Sequence, residues 1–279
     1  MKLNLVHNGI FPIKDQTQSD STGYQVAGTF QGEGKLLGTP CLFIRTSSCN
    51  LRCAWVGVDG NGSLCDSPYS SHSPEKNVME VSEIARVVEE NALPQNIGYV
   101  VVSGGEPTMQ TKPLIELLSR LKDKGLHTTL ETNATIFDVD IARYTDLVSM
   151  SPKLSSSTPW EANMKNTGLD FNQRWAEKHE ALRINIPVIQ SYINAAREYG
   201  KDFQLKFVVT DTQDIKEIEN DFLAHLTGVT PADVCLMPEG VTADDLAVRT
   251  EWLAQEALQR GWRLTPRLHI LMFGKNRYV

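Results

Sequence analysis

The sequence predicts an α/β protein in which a parallel sheet forms an incomplete barrel or an open layer. Short β-branched and apolar runs alternate with stretches of helical period, which is typical of parallel strands covered by helices. About seven strands and five helices can be recognised, too few for the eight strand–helix units of a closed barrel. The chain has 279 residues, 41% of them hydrophobic, enough to bury a large core. No linker divides it, so we predict one domain over residues 1–279.

Seven segments are predicted as strands, because each is short, rich in β-branched or apolar residues and bounded by turn-forming residues. Four longer segments have the helical spacing of apolar residues, and Pro113 suits the first turn of one of them. A fifth helix is expected within residues 176–199, where Pro187 interrupts the pattern. The predicted strands are residues 40–46, 98–103, 126–131, 146–150, 203–210, 234–238 and 263–271. The four predicted helices are residues 81–91, 113–124, 214–225 and 243–260.

Three polar segments break this alternation and are predicted as loops. Residues 15–34 and 56–73 are rich in Gly, Ser and Asn. Residues 151–168 directly follow a predicted strand, which is where open α/β sheets and barrels place their ligand-binding loops. The third segment is therefore a candidate ligand-binding loop.

Composition and charge exclude several classes of function. The 27 Lys and Arg against 34 Asp and Glu give a net charge of −7 and an isoelectric point near 5.4, so no basic field is available to hold a nucleic acid. The longest charge-free run, residues 91–105, has 15 residues and contains Pro94, short of the roughly 20 apolar residues that a membrane-spanning helix needs. The first residues lack the features of a secretory signal, so we expect a cytoplasmic protein.

Cysteine spacing gives the first chemical signal. The chain has five cysteines, an odd number that argues against a disulfide framework in a protein without a secretion signal. Cys49, Cys53 and Cys65 lie together in the loop after the first predicted strand. Three thiolates leave a tetrahedral zinc site incomplete, whereas they can hold a [4Fe–4S] cluster with one iron open to a ligand. Buried spectator thiols, or a zinc loop completed by His72, are the alternatives.

A second signal is the run Ser103-Gly104-Gly105-Glu106-Pro107 at the end of the next predicted strand. Glycines at a strand end let the polar groups of a ligand approach the bare backbone. Such a turn is common, so on its own it is weak evidence for a ligand-binding site. Beside a three-cysteine loop the turn is more specific evidence for a cofactor site. A glycine-lined strand edge suits a cofactor that chelates the open iron through its own amino and carboxylate groups.

With these two motifs the chain resembles the radical S-adenosylmethionine enzymes and, among them, the 7-carboxy-7-deazaguanine synthases. The resemblance covers most of the chain. The cysteine loop and the SGGEP run are shared by many radical enzymes, and the order of QGEG, ETNAT, SPK and RLHILMFG is what indicates the synthase. The segments that carry it are FQGEG (30–34), FIR (43–45), CNLRCAW (49–55), CDS (65–67), SGGEP (103–107), ETNAT (131–135), SPK (151–153), QLKFV (204–208), MPEG (237–240) and RLHIL (267–271).

The resemblance implies the fold and the reaction. The fold is an incomplete TIM-like barrel of the radical S-adenosylmethionine type. The reaction is a radical ring contraction of 6-carboxy-5,6,7,8-tetrahydropterin to 7-carboxy-7-deazaguanine with loss of ammonia, a lyase step in queuosine and 7-deazapurine biosynthesis. The implied cofactors are a [4Fe–4S] cluster, S-adenosylmethionine and Mg²⁺. A flavodoxin-like electron donor and a homodimer are also implied, with no nucleic-acid or membrane partner.

The resemblance also assigns site residues. Cys49, Cys53 and Cys65 would ligate the cluster, and Ser67, where the family has threonine, would help to hold Mg²⁺. Arg45 suits the substrate carboxylate, because a planar guanidinium matches that group. The expected substrate-binding residues are Phe30, Gln31, Gly32, Glu33, Arg45 and Ser103. The expected cofactor-binding residues are Leu64, Asp66, Gly104, Gly105, Glu106, Ser151, Pro152, Lys153, Met237, Pro238, Glu239 and Gly240.

Two departures from the family pattern stand out. Cys53 and Cys65 are separated by eleven residues, nine more than usual, so we expect a loop insertion near residues 56–64. A second insertion is expected near residues 13–29. Cys41 is a possible substitute ligand, although it lies in an apolar strand where a buried thiol is the commoner explanation, and Cys235 is expected in the core.

Four of the predicted site residues also have a purely structural interpretation. Arg45 could be a surface strand residue, Glu33 a turn residue and Lys153 a solvated charge, while Ser67 could only cap the turn before Pro68. Two functions compete with the synthase: a radical enzyme that activates a partner protein, and a zinc-loop binding module without catalysis.

Overall fold

The structure, a computed structural model, describes residues 1–13 and 22–279. The insertion expected near residues 13–29 therefore lies partly outside the described residues. In chain order the described strands are β1 (Lys2–Phe11), β2 (Thr29–Phe30), β3 (Pro40–Thr46), β4 (Ala54–Val56), β5 (Gly62–Leu64), β6 (Asn77–Glu80), β7 (Tyr99–Gly104), β8 (His127–Thr132), β9 (Leu147–Met150), β10 (Asp202–Val209), β11 (Val234–Pro238) and β12 (Arg263–Leu264). The described α-helices are α1 (Val81–Ala92), α2 (Thr111–Asp123), α3 (Val139–Tyr144), α4 (Glu161–Met164), α5 (Gln173–Leu182), α6 (Ile186–Tyr199), α7 (Thr212–Glu217), α8 (Ala243–Arg260) and α9 (Leu268–Phe273).

Across residues 1–13 and 22–279, ten strands form one open sheet in the order β12-β11-β10-β9-β8-β7-β3-β1-β6, with β2 paired to β3. Neighbours from β3 to β12 in this order are parallel, while β1 and β2 run antiparallel to β3, and β6 runs antiparallel to β1. The sheet does not close, so the prediction of an incomplete barrel is confirmed. Because parallel strands end on the same edge, their carboxyl ends bring distant segments together.

Six of the seven predicted strands are present within one residue of their expected bounds, and the seventh is wrong over most of its length. Only Arg263–Leu264 extends the sheet, whereas Leu268–Phe273 is helical. Pro266 lacks the N–H that a continued ladder needs. The apolar run after it buries Ile270 but leaves Leu271 54% exposed, as one face of a short helix does.

The strand β1 was not predicted from the sequence. It pairs with β3 across an irregularity between Leu5 and Ile10, and it buries Leu3, Leu5 and Val6. A polar and glycine-containing stretch, Asn8 to Gly9, interrupts the alternation that would have indicated a strand. Pairing with the edge of a preformed sheet compensates for this weak local preference.

The predicted helices are present, with two differences described below. The short helices α3 and α4 were not predicted, and α4 lies within residues 151–168, which were predicted as a loop. The segment predicted over residues 214–225 begins as α7 and continues through a π-helical turn, Ile218–Phe222, and a 3₁₀ turn, Leu223–His225. The region around Pro187 contains two helices, α5 and α6. Proline occupies the first turn of α6, where no intrahelical N–H is lost, and the Asn185 side chain accepts the N–H of Val188 at 3.3 Å.

Two apolar clusters, one on each half of the sheet, hold the helices against it. One contains Leu114, Leu117 and Leu118 of α2 with the strands β3 and β7, and the other contains Tyr192 and Ile193 of α6 with β9 to β11. Among the helices of the described residues, none is both long enough and apolar enough to cross a membrane.

Candidate active site

A cavity lies at the carboxyl edge of the parallel strands. Its lining includes residues from the end, or from the following loop, of six parallel strands: β3, β7, β8, β9, β10 and β11. The sequence-predicted residues that line it are Phe30, Gln31, Gly32, Glu33, Arg45, Cys49, Cys53, Leu64, Cys65, Asp66, Ser103, Gly104, Gly105, Ser151, Lys153, Met237 and Glu239. Five others, Ser67, Glu106, Pro152, Pro238 and Gly240, are not among the lining residues.

The three clustered cysteines meet on one wall of the cavity. They pack with Leu51, Trp55 and Val208, and the Cys65 N–H donates to the Cys53 carbonyl oxygen at 3.2 Å. Burial raises the pKa of the Cys49 thiol to about 12 and also raises those of the other two. In an apolar wall a thiol is neutral unless a cation replaces its proton. The three thiols are therefore neutral on this wall unless a bound metal makes them thiolates.

The spacing of these thiols disfavours a mononuclear zinc site. Within residues 1–13 and 22–279, the only three-residue group whose ligand atoms all lie within 4.8 Å of one another is Glu33, Asp66 and His269. Sulfurs around a tetrahedral zinc, at 2.3 Å each, would lie about 3.8 Å apart. His72, the candidate fourth ligand, instead has its Nε2 3.1 Å from the carbonyl oxygen of Cys53. A larger cluster held by three sulfurs fits these residues better.

The opposite wall carries a buried network of charges. The Lys206 ammonium donates to Glu33 at 2.7 Å and to Glu131 at 2.8 Å. Arg267 donates from Nε to Glu33 at 3.2 Å, and its Nη2 pairs with Asp66. Lys206 is only 5% exposed, whereas Asp66 is 46% exposed because it faces the cavity. The network joins the loop of Cys65 to the QGEG segment and to the end of β8.

These charges fix the protonation of the network. Burial alone would raise the pKa of Glu33, but Lys206 and Arg267 hold it well below its usual range. Burial alone would lower the pKa of Lys206, but Glu131 and Glu33 raise it. Glu33 is therefore an anionic hydrogen-bond acceptor and Lys206 an ammonium at neutral pH.

The compact Glu33, Asp66 and His269 group is not itself a cation site. Both carboxylates are neutralised by the guanidinium of Arg267, and Glu33 is also paired with Lys206. Burial lowers the pKa of His269, so its imidazole is neutral and adds no charge. A metal ion there would have to displace an existing cation.

Glu106 of the SGGEP run supports the cavity from behind. It is completely buried and accepts the N–H of Thr108 at 3.1 Å, the Thr132 hydroxyl at 2.8 Å and the N–H of Asn133 at 2.6 Å. Burial raises its pKa despite these bonds. This side chain therefore ties the end of β7 to the end of β8.

Gly105 is required for close packing at the end of β7. A Cβ there would overlap the carbonyl oxygens of Ser48 and Ser70, which belong to the cysteine loop and the turn after it. The glycine thus lets the cysteine loop lie directly on the strand end. This requirement is independent of any ligand approach to the backbone.

Arg45 and Lys153 are cations that face the cavity. Arg45 stacks over Phe11, with 5.3 Å between its Cζ and the ring centroid, and its buried Nε has no partner among the described residues. Lys153 donates to the Ser151 hydroxyl at 2.8 Å. Arg45 is therefore a partly buried strand residue that lines the cavity.

Ser67 and Gly240 lie beside the cavity rather than in its wall. Ser67 is buried, and its carbonyl oxygen accepts the N–H of Ser70 at 2.9 Å. Its place before Pro68 is that of a residue preceding a 3₁₀ turn, with no side-chain capping bond. The carbonyl oxygen of Gly240 accepts Nη1 of Arg267 at 2.7 Å.

Sequence reasoning assigned no role to four ionisable side chains of the cavity. Glu131, Lys206, Arg267 and His269 all lie in segments quoted for the resemblance, but their side chains were given no function. One signal was available: Lys206 is the one charged residue in the apolar strand run from 203 to 209, and a buried lysine needs a counter-charge.

Comparisons with known proteins agree with this geometry. The Radical SAM superfamily profile matches residues 43–209. A 7-carboxy-7-deazaguanine synthase from Halobacterium salinarum is 42% identical over 252 residues, covering 88% of this chain and 87% of that protein. One from Rhodopirellula baltica is 34% identical over 247 residues, covering 88% and 84%. The crystal structure of QueE from Escherichia coli shares the fold, with a TM-score of 0.60 and 22% identity over 96% of this chain and 95% of that one. The chain therefore belongs to the radical SAM superfamily and, within it, to the 7-carboxy-7-deazaguanine synthase family.

Proposed function

We propose that this protein is a 7-carboxy-7-deazaguanine synthase, a carbon–nitrogen lyase that contracts the ring of 6-carboxy-5,6,7,8-tetrahydropterin and releases ammonia. One observation carries the proposal: the three cysteines and the QGEG segment line the same cavity. A radical generated beside the cysteines would meet a substrate held at the QGEG segment. The relatives from Halobacterium salinarum and Rhodopirellula baltica, which match most of this chain, are 7-carboxy-7-deazaguanine synthases.

The cysteine wall fits a [4Fe–4S] cluster, with Cys49, Cys53 and Cys65 as its protein ligands. When bound, the cluster and S-adenosylmethionine supply the electron and the carbon radical that remove hydrogen from the substrate. The chain binds and orients these groups. The cavity residues that would hold S-adenosylmethionine are Leu64, Asp66, Gly104, Gly105, Ser151, Lys153 and Met237, with Glu106, Pro152, Pro238, Glu239 and Gly240 supporting them.

The charged wall fits the substrate. Arg45 presents an unpartnered guanidinium nitrogen, which suits the carboxylate of the pterin. Glu33 is kept anionic by Lys206 and Arg267, so it accepts hydrogen bonds from the N–H groups of the pterin ring. Phe30, Gln31, Gly32 and Ser103 complete this part of the proposed site.

Product analysis tests the proposed function. The iron-free chain is loaded anaerobically with iron and sulfide and incubated with S-adenosylmethionine, a reductant, Mg²⁺ and 6-carboxytetrahydropterin. We expect mass spectrometry to detect 7-carboxy-7-deazaguanine, with S-adenosylmethionine regenerated and not consumed. An assay without the pterin is the control. Formation of 5′-deoxyadenosine without deazaguanine would contradict the substrate and retain the radical chemistry.

Magnesium is proposed to bind beside Ser67. Mg²⁺ takes oxygen ligands and keeps several waters, so one hydroxyl and the oxygens of the substrate make a sufficient site. We expect Ser67→Ala to raise the Mg²⁺ concentration needed for half-maximal rate about tenfold. Titration of the rate with Mg²⁺ measures this. Ser73→Ala, an exposed serine of the same segment, is the control, and equal Mg²⁺ dependence of the two variants would contradict the assignment.

We also propose the cellular setting that the family implies. All five cysteines are free thiols, which agrees with a reducing cytoplasm. A flavodoxin-like protein would supply the electron, and two copies of the chain would form a homodimer. The proposed domain organisation is a single unit over residues 1–279 in which the insertion near residues 56–64 belongs to the cluster loop.

A further inference from the structure

The insertion between Cys53 and Cys65 forms a hairpin, not the irregular loop predicted for residues 56–73. Strands β4 and β5 pair through Ala54 with Leu64, Trp55 with Ser63, and Val56 with Gly62. The pairing continues to the base, where the Cys65 N–H donates to the Cys53 carbonyl at 3.2 Å. The two cysteines therefore face each other across the base of the hairpin, whatever the length of the chain between them.

One buried ion pair attaches both strands of this hairpin to the rest of the fold. Arg249, in α8, donates from Nη2 to the Val56 carbonyl of β4 at 3.1 Å. The same side chain donates from Nη1 to the Glu239 carboxylate at 2.7 Å, and the other oxygen of that carboxylate accepts the hydroxyl of Ser63 in β5 at 2.8 Å. Arg249 and Glu239 are 8% and 4% exposed.

Arg249 is itself fixed by the ends of two sheet strands. It donates to the Glu239 carbonyl after β11 at 3.0 Å and to the Thr210 carbonyl after β10 at 3.3 Å. A guanidinium with its donors distributed in this way is pre-organised and cannot be replaced by a smaller cation without loss of contacts. The sheet edge therefore fixes the position of the Arg249 side chain, and Arg249 in turn fixes the position of the hairpin.

The other face of the hairpin has separate support. The Asn163 side chain donates to the Ala54 carbonyl at 2.8 Å, and the Gly62 N–H donates to the Lys165 carbonyl at 2.6 Å. Loss of the contacts on the Arg249 face would therefore loosen the hairpin without removing it.

We propose that Arg249 is a positioning residue that holds the hairpin, and with it the third cluster ligand Cys65, against the ends of β10 and β11. It acts through Glu239, Ser63 and the Val56 carbonyl and contacts none of the reacting groups. The inference rests on the proposed function only in that the cysteines hold the cluster. It assigns the Glu239 side chain to the hairpin, so in this chain that carboxylate is not free to bind S-adenosylmethionine.

The first test uses hydrogen exchange of the iron-free chain. We expect Arg249→Gln to raise the exchange rates of peptides spanning residues 54–66 roughly ten- to hundredfold, because buried hydrogen bonds to a charged group are lost. Peptides from α2 and β8 should exchange as in the wild type. The control is Arg260→Gln, which removes ion pairs with Glu219 and Glu256 from the same helix. Unchanged exchange over residues 54–66, or equal acceleration in both variants, would overturn the proposal.

A conservative variant separates positioning from general destabilisation. Arg249→Lys keeps one ion pair with Glu239 but cannot also reach the Val56 carbonyl. We expect its melting temperature to lie between those of the wild type and Arg249→Gln, with intermediate exchange over residues 54–66 and wild-type exchange in α2 and β8. If Arg249→Gln exchanges faster everywhere and Arg249→Lys behaves as wild type over the hairpin, the residue stabilises the fold and does not position the hairpin.

The second test examines the loaded protein. We expect Arg249→Gln to bind less iron per chain than Arg260→Gln and to change the electron paramagnetic resonance spectrum of the reduced cluster on addition of S-adenosylmethionine. An unchanged spectrum with full iron content would overturn the proposal. Neither readout depends on the substrate: if the wild type makes no deazaguanine but the hairpin and cluster respond as expected, the proposed function fails and the positioning role stands.

Discussion

Replacing Cys65 with alanine is expected to abolish formation of 7-carboxy-7-deazaguanine. Cys49, Cys53 and Cys65 are the only cysteines that line the cavity within residues 1–13 and 22–279, so the variant retains two thiolates where a cluster needs three. The expected signs are loss of the visible absorbance of the cluster, lower iron per chain after anaerobic loading, and no product by mass spectrometry. The iron-free variant should unfold as the wild type does, because Cys65 is not part of the main core.

Cys41→Ala is the matched control for this prediction. Cys41 is completely buried in β3, opposite Tyr99, and does not line the cavity. The variant should keep the cluster absorbance and the product, with a stability loss of about 1 kcal/mol from a small cavity. A cluster that survives Cys65→Ala and is lost in Cys41→Ala would show that the stretched motif is not the ligand set.

Replacing Lys206 with methionine is expected to lower the free energy of unfolding by about 3–5 kcal/mol and to eliminate substrate binding. The variant leaves Glu131 without its ammonium partner and Glu33 with Arg267 alone, and a largely buried charge that loses its partner is expensive. Chemical denaturation of the iron-free chain measures the stability. Lys124→Met, which breaks an exposed pair with Glu89, is the control and should cost less than about 1 kcal/mol.

The loss in Lys206→Met should depend on pH in a definite direction. Lys206 and Arg267 depress the pKa of Glu33 in the folded state, so their stabilisation is fully present above the unfolded value near 4.5 and is lost as the pH falls towards the folded value. The difference between wild type and variant should therefore be largest at neutral pH and shrink below about pH 4.5. A difference that does not shrink between about pH 5 and pH 3 would mean that packing, not charge, accounts for the loss.

Local pattern was sufficient for the parallel strands but not for the antiparallel edge or the last segment. The segments that form β7 and β10 are continuous, β-branched and bounded by turns, and this local pattern predicts a buried strand. The segment after Pro266 is a short apolar run, which local pattern cannot assign to strand or helix. The strand β1 depends on a partner strand, β3, whose paired residues are 32 to 41 positions away, and no local window contains both.

The candidate site was predictable where the chemistry is concentrated in one motif. Cys49, Cys53 and Cys65 lie in one short segment, and the structure brings them to one wall as expected. The charged network joins Glu33, Glu131, Lys206 and Arg267, which are separated by up to 234 positions in the chain. Their pairing follows from the order of strands in the sheet, so it can be found only once the topology is known.

The hairpin between Cys53 and Cys65 has a thermodynamic consequence for cofactor loading. Closing a flexible loop of eleven residues costs about 2 kcal/mol in chain entropy. Here backbone pairing, the Cys65 N–H bond to Cys53 and the contacts of Arg249 close it with protein groups alone. This entropy is therefore lost when the chain folds and not when the cluster binds. The cost of closing the loop does not weaken the binding of iron by the three sulfurs.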